Sequence, residues 1–160
     1  MKVGRILFFI LVVSILGIIV YLTYPIKINT ILHNKQSMEK VHVTNISNRE
    51  TLRYLISKDS GVDFDELISM FNTVSYNREI KKFKGAAGNV IMMDIVYKDK
   101  NGNNNIYFVY LHETGIMIVD NKEYKINGDS EALVNKIYDW IKIHGALIPF
   151  EEEIDLMENL

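Results

Sequence analysis

The chain has 160 residues and no internal repeat, which leaves room for one small domain. It contains no cysteine, and this excludes a disulfide framework, a thiol nucleophile, a thiolate metal site and a lipid-modified cysteine. Residues 41–160 carry 13 basic and 19 acidic side chains, a net charge of −6 that disfavours nucleic acid as a partner.

The N-terminal segment predicts a membrane-spanning helix. Between Arg5 and Lys27 lie 21 residues without a charge, and a helix of that length covers a hydrocarbon core of roughly 30 Å. We expect a short cytoplasmic tail over residues 1–5 and a transmembrane helix over residues 6–24, ended by Pro25. The side chains assigned to the anchor in the lipid bilayer are Ile6, Phe8, Phe9, Leu11, Ile15, Ile18, Ile19, Tyr21 and Tyr24.

A cleaved signal peptide and a buried core helix are the competing interpretations of this segment. Cleavage requires small residues, whereas the stretch from Tyr21 to Pro25 is bulky, so we favour an uncleaved signal-anchor. Lys2 and Arg5 form a compact positive cluster before the helix, while the lysines after it are spread out. This pattern predicts a single-pass protein of the cell membrane with a cytoplasmic N-terminus and an extracytoplasmic domain.

The sequence from residue 25 to residue 57 predicts a stalk and then a hairpin. Residues 25–40 lack a sustained apolar face and are interpreted as the stalk, so the folded domain is expected over residues 41–148. Alternation of apolar and polar residues from Val41 to Ile46 predicts a strand. A second strand is favoured over residues 49–57, with a short helix as the alternative.

A capped helix follows. Asp63 and Glu66 have the spacing of a capping box, and negative charge at a helix N-terminus is favoured by the macrodipole. This explains the carboxylates at 63, 65 and 66 better than an acid/base pair or a metal site does. The apolar face of this helix comprises Phe64, Leu67, Ile68 and Phe71.

The pattern then changes to period two, which predicts an antiparallel β-meander. The Asn101-Gly102 dipeptide is typical of a tight hairpin. The expected strands are residues 76–83, a polar edge strand, followed by 90–98, 106–112, 116–119 and 123–126.

A last helix is expected to begin after Asp129 as N-cap and to end at Gly145. The predicted class is therefore α+β: an N-terminal transmembrane helix followed by an antiparallel β-meander sheet packed by two helices. Residues 149–160 form an acidic tail, which is interpreted as a solvated chain end, with an interaction tail as the alternative.

The sequence contains few motifs typical of catalysis or metal binding. The segment from Asp99 resembles the start of a calcium loop, but Asn104 and Tyr110 occupy the positions where an EF-hand needs glycine and glutamate. The four histidines are far apart and lack metal-ligand spacing, so we expect no catalytic residue, no metal site and no cofactor. Four tyrosines could form a binding face or could simply favour strands: Tyr54, Tyr76, Tyr107 and Tyr110.

The chain resembles the small, mostly uncharacterised membrane-anchored or exported α+β domain proteins of Firmicutes. The segments that carry the resemblance are residues 41–46, 70–74, 95–99 and 123–126. The resemblance implies an exported domain behind a membrane anchor or a lipoprotein signal, and it implies no catalytic residues. Because cysteine is absent, the anchor here would have to be the helix itself.

Two classes of function are consistent with these patterns. We favour a non-enzymatic, extracytoplasmic protein-binding domain that meets a partner at the cell surface, in its sharper form an immunity- or inhibitor-like protein that intercepts a toxin or hydrolase. The alternative is an enzyme or metal site assembled only by tertiary contacts. A deep pocket with converging ionisable groups would favour the enzyme, and an exposed apolar patch would favour the binder.

Overall fold

The computed structural model describes residues 2–47 and 50–149 and confirms the predicted α+β class. An apolar helix precedes an open, antiparallel, eight-stranded sheet that is packed by further helices. The helices are α1 (Lys2–Thr23), α2 (Ile28–Ile31), α3 (Phe64–Phe71) and α4 (Ser130–His144), with single 3-10 turns at Lys35–Ser37 and Lys58–Ser60. The strands are β1 (Met38–Ser47), β2 (Glu50–Ser57), β3 (Ser75–Arg78), β4 (Val90–Lys98), β5 (Asn104–His112), β6 (Ile116–Val119), β7 (Lys122–Asn127) and β8 (Ala146–Leu147).

The strand order is β3-β7-β6-β5-β4-β1-β2-β8. Strands β4 to β7 form the predicted meander, and β1 pairs with β2 as a hairpin, so residues 50–57 are a strand and not the alternative short helix. The polar strand β3 lies at the sheet edge as expected, but it pairs with β7 instead of β4 and is shorter than predicted. Residues 79–89 therefore cross the sheet from one edge to its centre.

The turns of the meander use residues that tolerate positive φ. Gly102 has φ +83° in the hairpin between β4 and β5. Asp120 and Asn121 have φ +47° and +65° in the two-residue turn between β6 and β7. Asp and Asn adopt this left-handed region more readily than other side chains, which is why the chain can reverse here without glycine.

One face of the sheet is buried under the helices. Alternate residues of β4, namely Ile91, Met93 and Ile95, are almost fully buried, as the period of a strand requires. The helices cover them with the apolar face predicted for α3 and with one side of α4. The α4 side chains in this core are Leu133, Val134, Ile137, Trp140 and Ile141.

Both long helices of the domain begin at an aspartate cap. The Asp63 carboxylate accepts a hydrogen bond from the Asp65 N–H at 2.8 Å, and Asp129 accepts one from Ala132 at 2.9 Å. The N-cap at Asp63 is confirmed, but the predicted capping box is not formed, because the Asp63 carboxylate accepts from the N–H of Asp65 instead of that of Glu66. The Glu66 carboxylate accepts a hydrogen bond from the Trp140 indole at 2.8 Å and so ties α3 to α4.

The prediction of a stalk over residues 25–40 is wrong. Five apolar side chains of this segment belong to the hydrophobic core, and none is more than 8% exposed. The apolar residues of the single-turn helix α2 lie on one face, but a pattern this short does not stand out in the sequence. The buried side chains are Ile26, Ile28, Ile31, Leu32 and Met38.

The folded domain thus begins at residue 26 and not at 41. Helix α1 already begins at Lys2, four residues before the predicted anchor. Of the predicted acidic tail only Pro149 belongs to the described residues, and residues 150–160 lie outside them.

Candidate functional site

Helix α1 stands apart from the core. From Gly4 to Thr23 it is long and apolar enough to cross a membrane, by length and composition, and a signal sequence near an N-terminus has the same properties. Every residue from Gly4 to Tyr21 is exposed, including Phe8 and Phe9 at 68% each. A contiguous exposed apolar surface of this extent is typical of a segment that contacts a membrane or another protein.

The residues predicted for the anchor are all placed on this exposed surface. Ile6, Phe8, Phe9, Leu11, Ile15, Ile18, Ile19 and Tyr21 lie along α1, and Tyr24 follows its last residue. The predicted topology charges Lys2 and Arg5 lie in the first turns of α1.

The hydroxyl groups of α1 bond within the helix. Ser14 donates to the carbonyl of Ile10 at 2.9 Å, and Thr23 donates to that of Ile19 at 2.8 Å. Polar groups surrounded by hydrocarbon need such internal partners, so these two residues are compatible with a lipid environment.

The domain is joined to the end of α1 without a spacer. Ile26 and Tyr76 exchange two backbone hydrogen bonds of 2.8 and 2.9 Å, and Ile26 is only three residues after Thr23, the last residue of α1. Lys27 donates through its ammonium group to the carbonyls of Asn72 and Val74. The sheet edge formed by β3 is therefore fixed directly beside the helix terminus.

Arg78 at the end of β3 contacts the helix itself. Its guanidinium group lies 4.1 Å from the centre of the Tyr21 ring and donates to the Tyr21 carbonyl at 3.0 Å. The carbonyls of the last helical turn lack intrahelical donors, and a cation near them is favoured by the macrodipole. Arg78 thus binds the domain to α1 by a charge-assisted hydrogen bond and a cation–π contact.

An open pocket of about 530 Å³ lies at this junction. Its wall combines the end of α1, the end of β3 and the turn between β6 and β7. The lining includes the apolar residues Leu22, Ile26 and Ile80 together with the charged residues Arg78, Glu79, Lys82, Lys122 and Glu123.

The face of the sheet opposite the helices is largely open. Phe108 on β5 is 59% exposed and Met92 on β4 is 37% exposed. Tyr110 on β5 pairs with Met92 on one side and with Ile118 of β6 on the other in the strand register. Tyr110 and Ile118 are half-buried. These four side chains form an apolar strip, which we call the open-face strip.

Only one of the four tyrosines considered as a binding face lies on this side. Tyr110 does, whereas Tyr54, Tyr76 and Tyr107 are at most 7% exposed and belong to the core. Burial raises the pKa of the Tyr76 hydroxyl, which donates to the Phe71 carbonyl at 2.8 Å.

The segment 79–89 covers one corner of the open face. The Phe83 ring lies 5.3 Å from the His112 ring and 6.0 Å from that of Tyr110. The His112 Nδ1 atom accepts from the Thr114 N–H at 3.1 Å, which places the proton on Nε2, where it is donated to the Ala86 carbonyl at 3.2 Å. His112 is fully buried and holds this segment on the sheet.

Titratable groups are scattered over the domain. Among the described residues, no group of three or more histidine and acidic side chains is placed to hold a metal ion. Asp99 caps its own hairpin, and a hydrogen bond from the Asn103 N–H lowers the pKa of its carboxyl. His42 and Asp94 are cross-strand neighbours on the open face, where burial lowers the pKa of the imidazole and raises that of the carboxyl.

The residues of the junction pocket come from three distant parts of the sequence and, apart from Tyr21, were not among the predicted site residues. A pattern was visible, since four of the seven residues from Arg78 to Lys84 are basic. Lys122 could not be added to this group without knowing that β3 pairs with β7.

Comparisons of the chain with protein-family models, with curated proteins and with solved structures give no match.

Proposed function

We propose that the chain is a single-pass membrane-anchored protein whose small extracytoplasmic domain binds a protein partner and catalyses no reaction. The observation that carries this proposal is the open-face strip of Met92, Phe108, Tyr110 and Ile118 on a domain joined directly to an apolar helix. Exposed apolar strips with polar surroundings are typical of protein-binding surfaces.

The junction supports retention of α1 in the mature protein. Cleavage after the apolar segment would fall between Tyr21 and Tyr24, where side chains are bulky and where Arg78 binds the Tyr21 carbonyl. In the folded domain Ile26 is paired with Tyr76, so only Tyr24 and Pro25 separate α1 from the domain. The anchor is therefore the uncleaved segment from Ile6 to Tyr24.

The N-terminus lies in the cytoplasm. Lys2 and Arg5 are concentrated within five residues before the apolar segment, and charge near a membrane helix governs its orientation. Lys82 and Lys122 lie next to the same helix in the fold, but they are too distant in sequence to count during insertion. Protease added to intact cells or spheroplasts should remove a C-terminal tag, and a protected tag would reverse the orientation.

The surroundings of the open-face strip fit a protein interface. Phe108 and Met92 supply exposed apolar area. Asp94 lies opposite Phe108 in the strand register and Glu123 lies opposite Ile118, while Arg53 lies two strands from Met92 on the same side. Interfaces that form and dissociate commonly combine an apolar centre with such a polar rim. The partner should also be close to the membrane, because no stalk carries the domain away from it.

Site-specific photo-crosslinking in the native cell tests this function. A photoreactive amino acid at Phe108 should give an adduct of one defined mass, because this position would lie within the interface. The matched control is Ile143, which is 76% exposed on α4 and faces away from the strip. Equal adducts at both positions, or none at Phe108 under several growth conditions, would contradict a specific protein-binding face.

A further inference from the structure

The junction pocket carries more cationic groups than its own carboxylates can neutralise. Arg78, Lys82 and Lys122 line it together with Glu79 and Glu123. The Glu79 carboxylate already accepts from the Ile80 N–H at 3.2 Å, and that of Glu123 accepts from the Phe83 N–H at 2.7 Å. Within the described part of the chain, neither Lys82 nor Lys122 forms an ion pair, so both ammonium groups can bind an external anion.

The pocket lies at the end of α1, and this position indicates where the bound anion would come from. Tyr21 and Leu22, from the last turn of α1, form one wall. If α1 spans a bilayer, these residues lie at the headgroup level, where amphipathic aromatic rings are favoured. The pocket then opens toward the phosphate groups of the surrounding lipids.

The apolar part of the pocket fits the same environment. Ile80 is 73% exposed and is followed directly by Lys81 and Lys82. An exposed apolar side chain followed by two lysines matches the boundary between acyl chains and headgroups. The pocket therefore offers apolar contact and positive charge to a single amphipathic ligand.

We propose that the junction pocket binds an anionic phospholipid through its headgroup phosphate, with Arg78, Lys82 and Lys122 supplying the positive charge. Basic pockets beside membrane helices bind acidic headgroups by this chemistry. The inference rests on the proposed membrane anchor and goes beyond it, because it assigns a ligand to a second site, which borders the open-face strip at Glu123. The bound lipid would hold the β3 edge of the domain against the bilayer.

The acidic C-terminal tail is the competing occupant. It follows β8, which lies at the sheet edge opposite β3. Seven strand spacings of about 4.8 Å separate these edges by about 34 Å. The 11 residues after Pro149 would need almost full extension, at about 3.5 Å per residue, to reach the pocket. A lipid has no such distance to cover.

Native mass spectrometry of the full chain in detergent micelles tests the proposal. The chain is titrated separately with phosphatidylglycerol and with phosphatidylcholine, and the apparent affinities for the first bound lipid are compared. We expect a preference for phosphatidylglycerol that falls at least about five-fold in the triple variant R78Q/K82Q/K122Q, since each basic group near an anionic lipid is worth about that factor.

Two further variants test whether the loss is specific to the pocket and whether it depends on the contact between Arg78 and α1. The control K98Q/K100Q/K136Q removes the same charge from exposed positions outside the pocket and should keep the preference. The double variant K82Q/K122Q leaves the Arg78 contact with Tyr21 intact and should lose part of the preference without disturbing the junction. An equal loss in the pocket and control variants, or no loss in either pocket variant, would overturn the proposal.

Three additional measurements separate the ligand sources. Millimolar inorganic phosphate should not displace phosphatidylglycerol, and displacement would assign the pocket to a free anion instead. Deletion of residues 150–160 should leave lipid binding unchanged, whereas tighter binding would identify the tail as the occupant. Carbonate extraction of membranes should retain the chain. Its release would overturn the anchor and the lipid site together, while retention without lipid preference would overturn the lipid site alone.

Discussion

The two faces of the sheet differ in what covers them, although the same strands supply both. Met92 and Met93 are neighbours on β4, yet Met92 is 37% exposed on the open face and Met93 is 1% exposed under the helices. The strand period explains the alternation, but it does not explain why both faces carry apolar residues. The buried face forms the hydrophobic core, and the open face carries the strip that we propose as a protein-binding surface.

Stability should change most when a side chain on the buried face of β4 is shortened. Met93→Ala should lower the free energy of unfolding by about 2–5 kcal/mol, because it leaves a cavity in the core. Met92→Ala is the matched control and should change it by less than about 0.5 kcal/mol. Urea unfolding of the full chain in a non-ionic detergent, followed by fluorescence of the single tryptophan, measures both. Similar losses for the two variants would show that the open face is covered.

Removing Phe83 should have a smaller effect. This ring is half-buried against His112 and Tyr110, so Phe83→Ala should destabilise the domain by about 1–2 kcal/mol. His112 should also become reactive toward an imidazole-modifying reagent, because its cover is lost. Ile80→Ala, in the same segment but largely exposed, should change neither quantity. An unreactive His112 in the Phe83 variant would mean that another group covers it.

A tyrosine hydroxyl should also contribute more to the free energy of unfolding on the buried face than on the open face. Tyr76→Phe leaves the buried Phe71 carbonyl without its partner and should cost about 1–2 kcal/mol. Tyr110→Phe, on the open face, should remain within about 0.5 kcal/mol of the wild type. The same urea titration measures both variants. A neutral Tyr76→Phe would indicate that the carbonyl finds a different donor.

The smallest expected effect is on the pH dependence of stability. Burial lowers the pKa of His42 below its usual 6.5 in the folded state, with Asp94 acting in the opposite direction and Lys40 in the same one. Below pH 6.5 the unfolded chain therefore binds more protons, and stability falls as the pH drops through the folded pKa. His42→Gln should show a smaller decrease between about pH 7 and pH 5.5. His33→Gln, an exposed position, should behave like the wild type.

Patterns formed by neighbouring residues led to correct predictions. The N-caps at Asp63 and Asp129, the hairpin at Gly102 and the alternation within β4 each depend on residues a few positions apart. The stalk prediction failed because a single turn of helix has too few residues to show a period. The open-face strip was missed for a related reason: its members belong to three strands whose register the sequence does not state.

Local sequence patterns were sufficient to predict the apolar helix, the two capped helices and the strands β1, β2 and β4 to β7, because these follow from short-range periodicity and chain reversal. The short strand β8 has too few residues to show such a pattern. Only the tertiary structure decided that residues 26–38 enter the core, that β3 pairs with β7, and that Arg78, Lys82 and Lys122 meet at the end of α1. These features depend on contacts between segments up to 100 residues apart in a 160-residue chain. Their free energy comes from joint burial and pairing, which no local pattern encodes.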